Sequence, residues 1–337
     1  MHVRRSPRAA QAAAVVALVL AAAGCRGPTG GELGKAMFSY DEGAFGCLVG
    51  CPSADAPMAA RSRVNINVTN ADDLAEFTVS STDESVAAFS RVGTATMKGK
   101  LWVILHATAS AAGDAKLQLA DAASGEEIDR LPLHVRDVQK IELSERAEKY
   151  KDRLTIMTGG STSMRLILRD RDNRELVGHG GIDYSYQGAA GAPEPLEVLF
   201  GEIISRIFIG TVPETMEISA RDTPGSGTIV ASSPAGATME IPVQVIDASG
   251  VTSVKLEGQE GVPEVGDEYF LSVEAMAGAE KVHSPECFWT LSDVVGPVTF
   301  DFASRESAAV ESTEHGSSAT VTCSIGTLSS SVHVTFN

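Results

Sequence analysis

Aromatic side chains are scarce, basic residues are outnumbered, and no stretch reads clearly as an amphipathic helix. Aromatics make up 5 % of the 337 residues, so any core rests on Val, Ile, Leu and Ala. Lys and Arg number 27 against 44 Asp and Glu, a net charge of −17. That balance disfavours nucleic acid and anionic lipid as partners, because both repel an acidic chain. Catalytic signatures are missing as well. There is no G-x-S-x-G and no H-E-x-x-H, which removes the simplest hydrolase and zinc-protease readings. "GTATMKGKL" is no phosphate loop, because its second glycine falls six residues after Gly93 rather than five and Leu101 follows the lysine.

The amino-terminal end carries the clearest address. Arg4, Arg5 and Arg8 precede an apolar run, Ala9 to Ala23, broken only by Gln11 and closed by small residues. The run is too short and too alanine-rich for a membrane span and reads as a secretory signal, residues 1–24. Its end, Ala22-Ala23-Gly24-Cys25, resembles the lipobox of bacterial lipoproteins, with alanine at the first position where leucine is more usual. The resemblance implies cleavage before Cys25, diacylglycerol on its sulfur and a further acyl chain on its amine. Two or more acyl chains, at about 0.8 kcal/mol per buried CH2, hold a protein on a bilayer essentially permanently. The alternative is ordinary signal cleavage that leaves Cys25 as a thiol. Losing Arg4, Arg5 and Arg8 leaves 24 basic residues against 44 acidic, near −20. Arg26 fits sorting to an outer membrane under the rule of enteric bacteria.

Four cysteines remain, Cys47, Cys51, Cys287 and Cys323, an even number in an exported chain, which points to disulfides. Proximity favours Cys47 with Cys51, in the loop "FGCLVGCPS", and Cys287 with Cys323. Metal and redox readings are weaker. A zinc site wants Cys pairs two residues apart or attendant histidines, and a redox pair is more commonly C-x-x-C. In the segment 25–55 ahead of the first module, the stretch "GCLVGCPSADAPM" (46–58) is expected to dock onto that module rather than act as a loose tether, since a flexible tether has no need of a disulfide.

The body reads as strands. "VNINV" places Val64, Ile66 and Val68 on one face, and "EFTVS", "LWVILHA", "AKLQLA" and "LPLHV" follow at turn spacings of roughly 8 to 12 residues, the rhythm of antiparallel sandwiches and barrels. The pattern restarts at "VQKIELSE" and again at "VTSVKLEG", so one module recurs at intervals of roughly 90 to 110 residues. The expected division is 56–137, 138–248 and 249–337. "LEVLFGEIISRIFIG" (196–210) reads either as a helix or as two buried strands.

The restarts resemble the bacterial Ig-like (BIG) domains that occur in tandem on surface proteins and adhesins. "LRDRDNRELVGHGG" matches the family's turn segment with Asn173 in the turn, and "FTVSSTDESVAAFS" its W-x-S-S-D-x-x-V-A segment with Phe77 or Val79 in place of the tryptophan. "FWTLSD" and "GSSATVTCSIG" match less completely, and Tyr184 stands where the second module would carry Trp. The resemblance implies an all-β chain of tandem Ig-like antiparallel β-sandwich domains. In the third module Cys287, Trp289 and Cys323 resemble the Ig arrangement of a disulfide between sheets beside a buried tryptophan.

Candidate chemistry is thin. Asp170, Asp172 and Asn173 cluster as in a calcium loop but without the glycine and distal glutamate of an EF-hand, so a hairpin turn competes with a weak calcium site. His106, His134, His179, His283 and His333 fall on or beside separate strands, and His315 in a polar loop. Glu126, Glu127, Glu145 and Glu148 read as solvated faces. No catalytic residue, metal ligand or cofactor is expected. Two functions compete. One is a lipid-anchored, non-enzymatic binding, adhesion or spacer protein with a protein or glycan partner. The other is an envelope enzyme or metal-dependent protein whose site is assembled from dispersed residues.

Overall fold

Alternation of apolar and polar residues becomes strand after strand, because side chains at i and i+2 share a face and bury it together. The computed structural model describes residues 29–40, 54–69, 76–97, 100–144, 152–188, 195–200 and 215–337. They form two units. The first draws on Met1–Gln139 and Leu168–Gly181, the second on Lys140–Ile167, Ile182–Gly201 and Glu214–Asn337. No α-helix occurs among the described residues.

In the first unit the strands are β1 (Thr29–Gly30), β2 (Met37–Tyr40), β3 (Met58–Ala59), β4 (Ser62–Thr69), β5 (Phe77–Ser81), β6 (Ala87–Met97), β7 (Lys100–Ala109), β8 (Gly113–Asp121) and β9 (Glu127–Arg136). One sheet runs β1-β2-β4-β7-β6 and the other β3-β9-β8-β5. Val64, Ile66 and Val68 of β4 meet Leu117 and Leu119 of β8 and Leu131 and Leu133 of β9 in one core. Burying each such side chain contributes about 1.5 to 3 kcal/mol. Phe77 is buried at 7 % exposure, with Arg91 over its ring, and Val79 packs half-buried against the same core. The phosphate-loop lookalike lies in the β6–β7 hairpin, where Met97 pairs with Lys100.

Part of the segment before the first module is built into this sandwich. Ala54, Ala56 and Met58 are core residues, and the Tyr40 hydroxyl donates to the Ala56 carbonyl at 3.0 Å. Phe38 and Tyr40 have no exposed surface. The turn between β1 and β2 is tied down by one buried carboxylate. Asp129 accepts the N–H groups of Leu33 (2.8 Å), Lys35 (2.8 Å), Ala36 (2.7 Å) and Arg130 (2.8 Å). Gly31 permits this approach, since any Cβ there would fall on the Asp129 carboxylate.

The second unit contains β10 (Lys140–Leu143), β11 (Leu154–Met157), β12 (Ser161–Arg169), β13 (Asp183–Gly188), β14 (Leu196–Phe200), β15 (Thr215–Ala220), β16 (Gly225–Ser232), β17 (Thr238–Ile246), β18 (Ser253–Gly258), β19 (Tyr269–Ala277), β20 (Glu280–His283), β21 (Phe288–Val295), β22 (Val298–Ala303), β23 (Ser307–Ser312), β24 (Ser318–Ile325) and β25 (Leu328–Thr335). Strand β12 continues at its end into residues of the first unit. Of the ambiguous stretch 196–210, residues 196–200 are strand β14 and the remainder lies outside the described residues.

Two cores share one long sheet here. The order β13-β16-β17-β11-β20-β19-β23-β22, with β18 on β19, carries the sheet across residue 248. Strand β11 joins its halves, pairing in parallel with β17 on one side and β20 on the other. Being covered on both faces, β11 is buried at all four positions. Arg305 reinforces the join by donating to the Thr158 carbonyl at 2.8 Å. The sheets β10-β12-β15-β14 and β21-β24-β25 close the two cores. Tyr184 packs half-buried against the core that holds Leu154, Ile218 and Val243.

Cys287 and Cys323 form a disulfide with Cα atoms 5.5 Å apart. Its placement corrects the Ig analogy. Cys287 lies just before β21, where its N–H donates to the Arg305 carbonyl at 2.9 Å, and Trp289 stands opposite Cys323 on β24, so the bridge ties the chain entering β21 to β24. The pairing of β21 with β24 is the physical reason, because it brings the two cysteines together edge-on. Trp289 is half-buried rather than buried, and its Nε1–H donates to the Ser304 carbonyl at 2.7 Å.

Candidate functional site

The sheet β21-β24-β25 has an inner face of Trp289, Leu291, Ala319, Val321, Cys323, Ile325, Val332 and Val334, which packs into the C-terminal core. Register then fixes the outer face. Phe288, Thr290, Ser292 and, past a bulge at Asp293 and Val294, Val295 lie on β21; Ser318, Thr320, Thr322 and Ser324 on β24; Ser329, Ser331, His333 and Thr335 on β25. Nine of these twelve positions are Ser or Thr and none is Asp, Glu, Lys or Arg, in a chain of which 21 % is charged. Soluble surfaces carry about 25–35 % charged residues, so roughly three charges are missing from this face.

The hydroxyls form rows. Neighbouring strands set them about 5 Å apart, and alternate residues about 7 Å apart along each strand. Thr322 and Ser331 share a hydrogen bond of 2.8 Å, and Thr320 meets His333 Nδ1 at 3.3 Å. Each hydroxyl has one donor and two acceptor sites, so these bonds leave polar capacity facing outward. Phe288 ends the central row opposite Ser324 and is 71 % exposed.

Exposed apolar side chains concentrate in the same stretch, residues 249–337. Of the eight large ones among the described residues, Val262, Phe270, Phe288, Val294, Val295 and Phe302 lie there, leaving Leu33 and Val92 elsewhere. On the outer face of the other sheet Phe270 and Phe302 both pair with Ala309, their rings 6.1 Å apart. Ala309 is fully covered beneath them.

The sequence candidates are distributed as follows. Cys25, Cys47 and Cys51 lie outside the described residues. The histidines are not brought together: His106 contacts Asn65 (3.1 Å), His134 contacts Asp114 (2.8 Å) and His333 contacts Thr320. Burial, and then Arg63, holds the His106 imidazolium below the usual histidine range. The 170–174 segment is a hairpin turn, with Asn173 at φ +62° donating to the Asp170 carbonyl at 3.0 Å. Asp170 is buried, and its carboxylate accepts the N–H groups of Asp172 and Arg174 and the Arg174 guanidinium, each at 2.8–2.9 Å. Burial pushes this carboxyl up, but those donors outweigh it and hold it below the usual range. Among the described residues no three His, Cys, Asp or Glu side chains group as metal ligands.

The hydroxyl face was not picked out in the sequence, although its signal was present. In "SATVTCSI" and "SVHVT" apolar residues alternate with Ser, Thr and His where charged residues usually stand.

No protein-family model matches the chain, and no curated protein does. Among solved structures it is similar to domains 4–9 of the surface layer protein SbsC, with 13 % identity, 81 % of this chain and 42 % of that one covered and a TM-score of 0.29. It is also similar to the Escherichia coli adhesin FdeC, with 13 % identity, 84 % and 94 % covered and a TM-score of 0.26. A third is invasin, a bacterial integrin-binding protein, with 11 % identity, 90 % and 60 % covered and a TM-score of 0.24. The chain thus spans less than half of the S-layer fragment and less than two thirds of invasin. Likenesses at this level carry no inference about a partner or an activity.

Proposed function

We propose that this chain is a non-enzymatic binding protein of the bacterial cell envelope. In this reading diacylglycerol on Cys25 holds it on the outer membrane, and Ig-like modules at 56–137, 138–248 and 249–337 carry its C-terminal end to a neutral glycan. The uncharged hydroxyl face of β21-β24-β25 is the observation that supports this reading. Apart from Asp293 in the β21 bulge, which accepts from Ser292, such a face offers no ion pair to a charged partner, whereas its donors and acceptors suit the hydroxyls of a polysaccharide and Phe288 offers a ring for stacking against a sugar. The face contributes little by any one bond, so affinity comes from many weak contacts repeated along a chain.

The test is retention of the full chain on immobilised neutral polysaccharides beside sulfated or uronic-acid polymers. Retention on neutral polymers that falls on Phe288→Ala and on Ser331→Glu, with the fold intact by circular dichroism, is the expected result. Equal retention by both variants overturns the assignment of this face. Reproducible turnover of a polymer by the purified chain overturns the non-enzymatic reading.

A further inference from the structure

We propose that the corner of the first unit formed by residues 29–40 rests directly on the bilayer, which makes the β1–β2 hairpin a membrane-facing surface. This rests on the reading of Cys25 as the lipidated residue. Three residues separate Cys25 from Thr29, where β1 begins. A fully extended chain spans at most about 3.6 Å per residue, so the Cα of Thr29 lies within roughly 14 Å of that of Cys25 whatever the intervening conformation. A diacylated cysteine sits at headgroup level, with its acyl chains in the hydrocarbon. The sandwich therefore has no room to stand off from the surface.

The tether cannot lengthen by peeling the hairpin away without large loss. Strand β2 pairs with β4 from Met37 opposite Thr69 to Tyr40 opposite Ile66. Phe38 and Tyr40 are fully buried, and Asp129 holds three N–H groups of the turn. The corner also suits a bilayer. Glu32 forms ion pairs with Lys116 (2.9 Å) and Arg130, and Arg130 with Glu127 (3.7 Å). With Asp129 beneath the turn and Lys35 on it, three cations and three anions cancel locally in a chain of net charge −17, so the acidic excess that would repel headgroups lies elsewhere. The Debye length is about 8 Å at physiological ionic strength, so the charge nearest the surface dominates. Leu33, 44 % exposed at the tip of the turn, and the exposed Lys35 beside it present an apolar group and a cation to the interface.

The test uses the full lipidated chain in phosphatidylcholine vesicles, with a fluorophore on Leu33→Cys and energy transfer to an acceptor lipid in the outer leaflet. A second version carries twenty Gly/Ser residues inserted between Pro28 and Thr29, a linker with an r.m.s. span of roughly 25 Å. Strong transfer in the native-length chain that drops at least twofold with the linker is expected. Equal transfer in both versions, with acyl mass confirmed, overturns membrane apposition and leaves the anchor standing. A chain purified from its native membrane without acyl mass overturns the anchor and the apposition together.

Discussion

Thr322 and Ser331 stand opposite each other on β24 and β25 with their hydroxyl oxygens 2.8 Å apart. The bond consumes one of two O–H donors and leaves the other with the remaining lone pairs pointing outward. Ser331→Ala should change stability by no more than about 0.5 kcal/mol, as for most surface changes. It should weaken polysaccharide binding by about 0.5–1.5 kcal/mol, roughly 2- to 12-fold in Kd. Urea midpoints and affinity electrophoresis separate the two effects.

Asp129 ties the hairpin turn to β9. Burial pushes its carboxyl up, but the N–H groups of Leu33, Ala36, Arg130 and Lys35 outweigh that and hold it below the usual aspartate range. A carboxyl depressed in the folded state stabilises above its unfolded pKa, and that contribution is lost as pH falls below about 4 toward the lower folded value. The first unit should therefore lose stability on acidification through this window. Asp129→Asn should cost about 1–3 kcal/mol at neutral pH and flatten the acid dependence. Hydrogen exchange at Leu33, Lys35 and Ala36 reports both, and unchanged protection in the variant would contradict the assignment.

The Cys287–Cys323 bridge closes a sequence separation of 36 residues. Removing it should destabilise the C-terminal sandwich by about 3–4 kcal/mol in the chain-entropy model. Cys287→Ala/Cys323→Ala is expected to lower the unfolding temperature of the second unit and leave the first unchanged, measured calorimetrically with two resolved transitions.

Asp170 and Arg174 predict the response to calcium. Protein donors already engage both carboxylate oxygens of Asp170, so millimolar calcium should not raise Tm. Arg174→Ala removes the guanidinium and leaves a buried carboxylate short of donors, at a cost of about 1–3 kcal/mol. A calcium-dependent Tm in the unaltered protein would show that the turn binds the ion after all.

Which segments were legible depends on how cleanly burial alternates. In β4, β8 and β9 every second residue enters the core, and the sequence shows it at Val64, Ile66, Leu117, Leu119, Leu131 and Leu133. Strand β6 was missed because its register shifts between Arg91 and Gly93, which breaks the alternation. Strand β16 was missed because Gly225 and Gly227 dilute its pattern, and β20 because four residues carry too little of one. The hydroxyl face was hidden for another reason. Ser and Thr on a strand look ordinary one at a time, and only the pairing of β21, β24 and β25 gathers them.

By itself, the sequence determined the strand-rich character and the acidic balance, because each follows from local composition and period. Tertiary structure alone decided that β11 joins two cores, that the Cys287–Cys323 bridge ties the chain entering β21 to β24, and that Asp129 captures a turn far from it in the chain. Those depend on which strands pair with which, and loop closure between distant segments leaves no periodic trace in the chain.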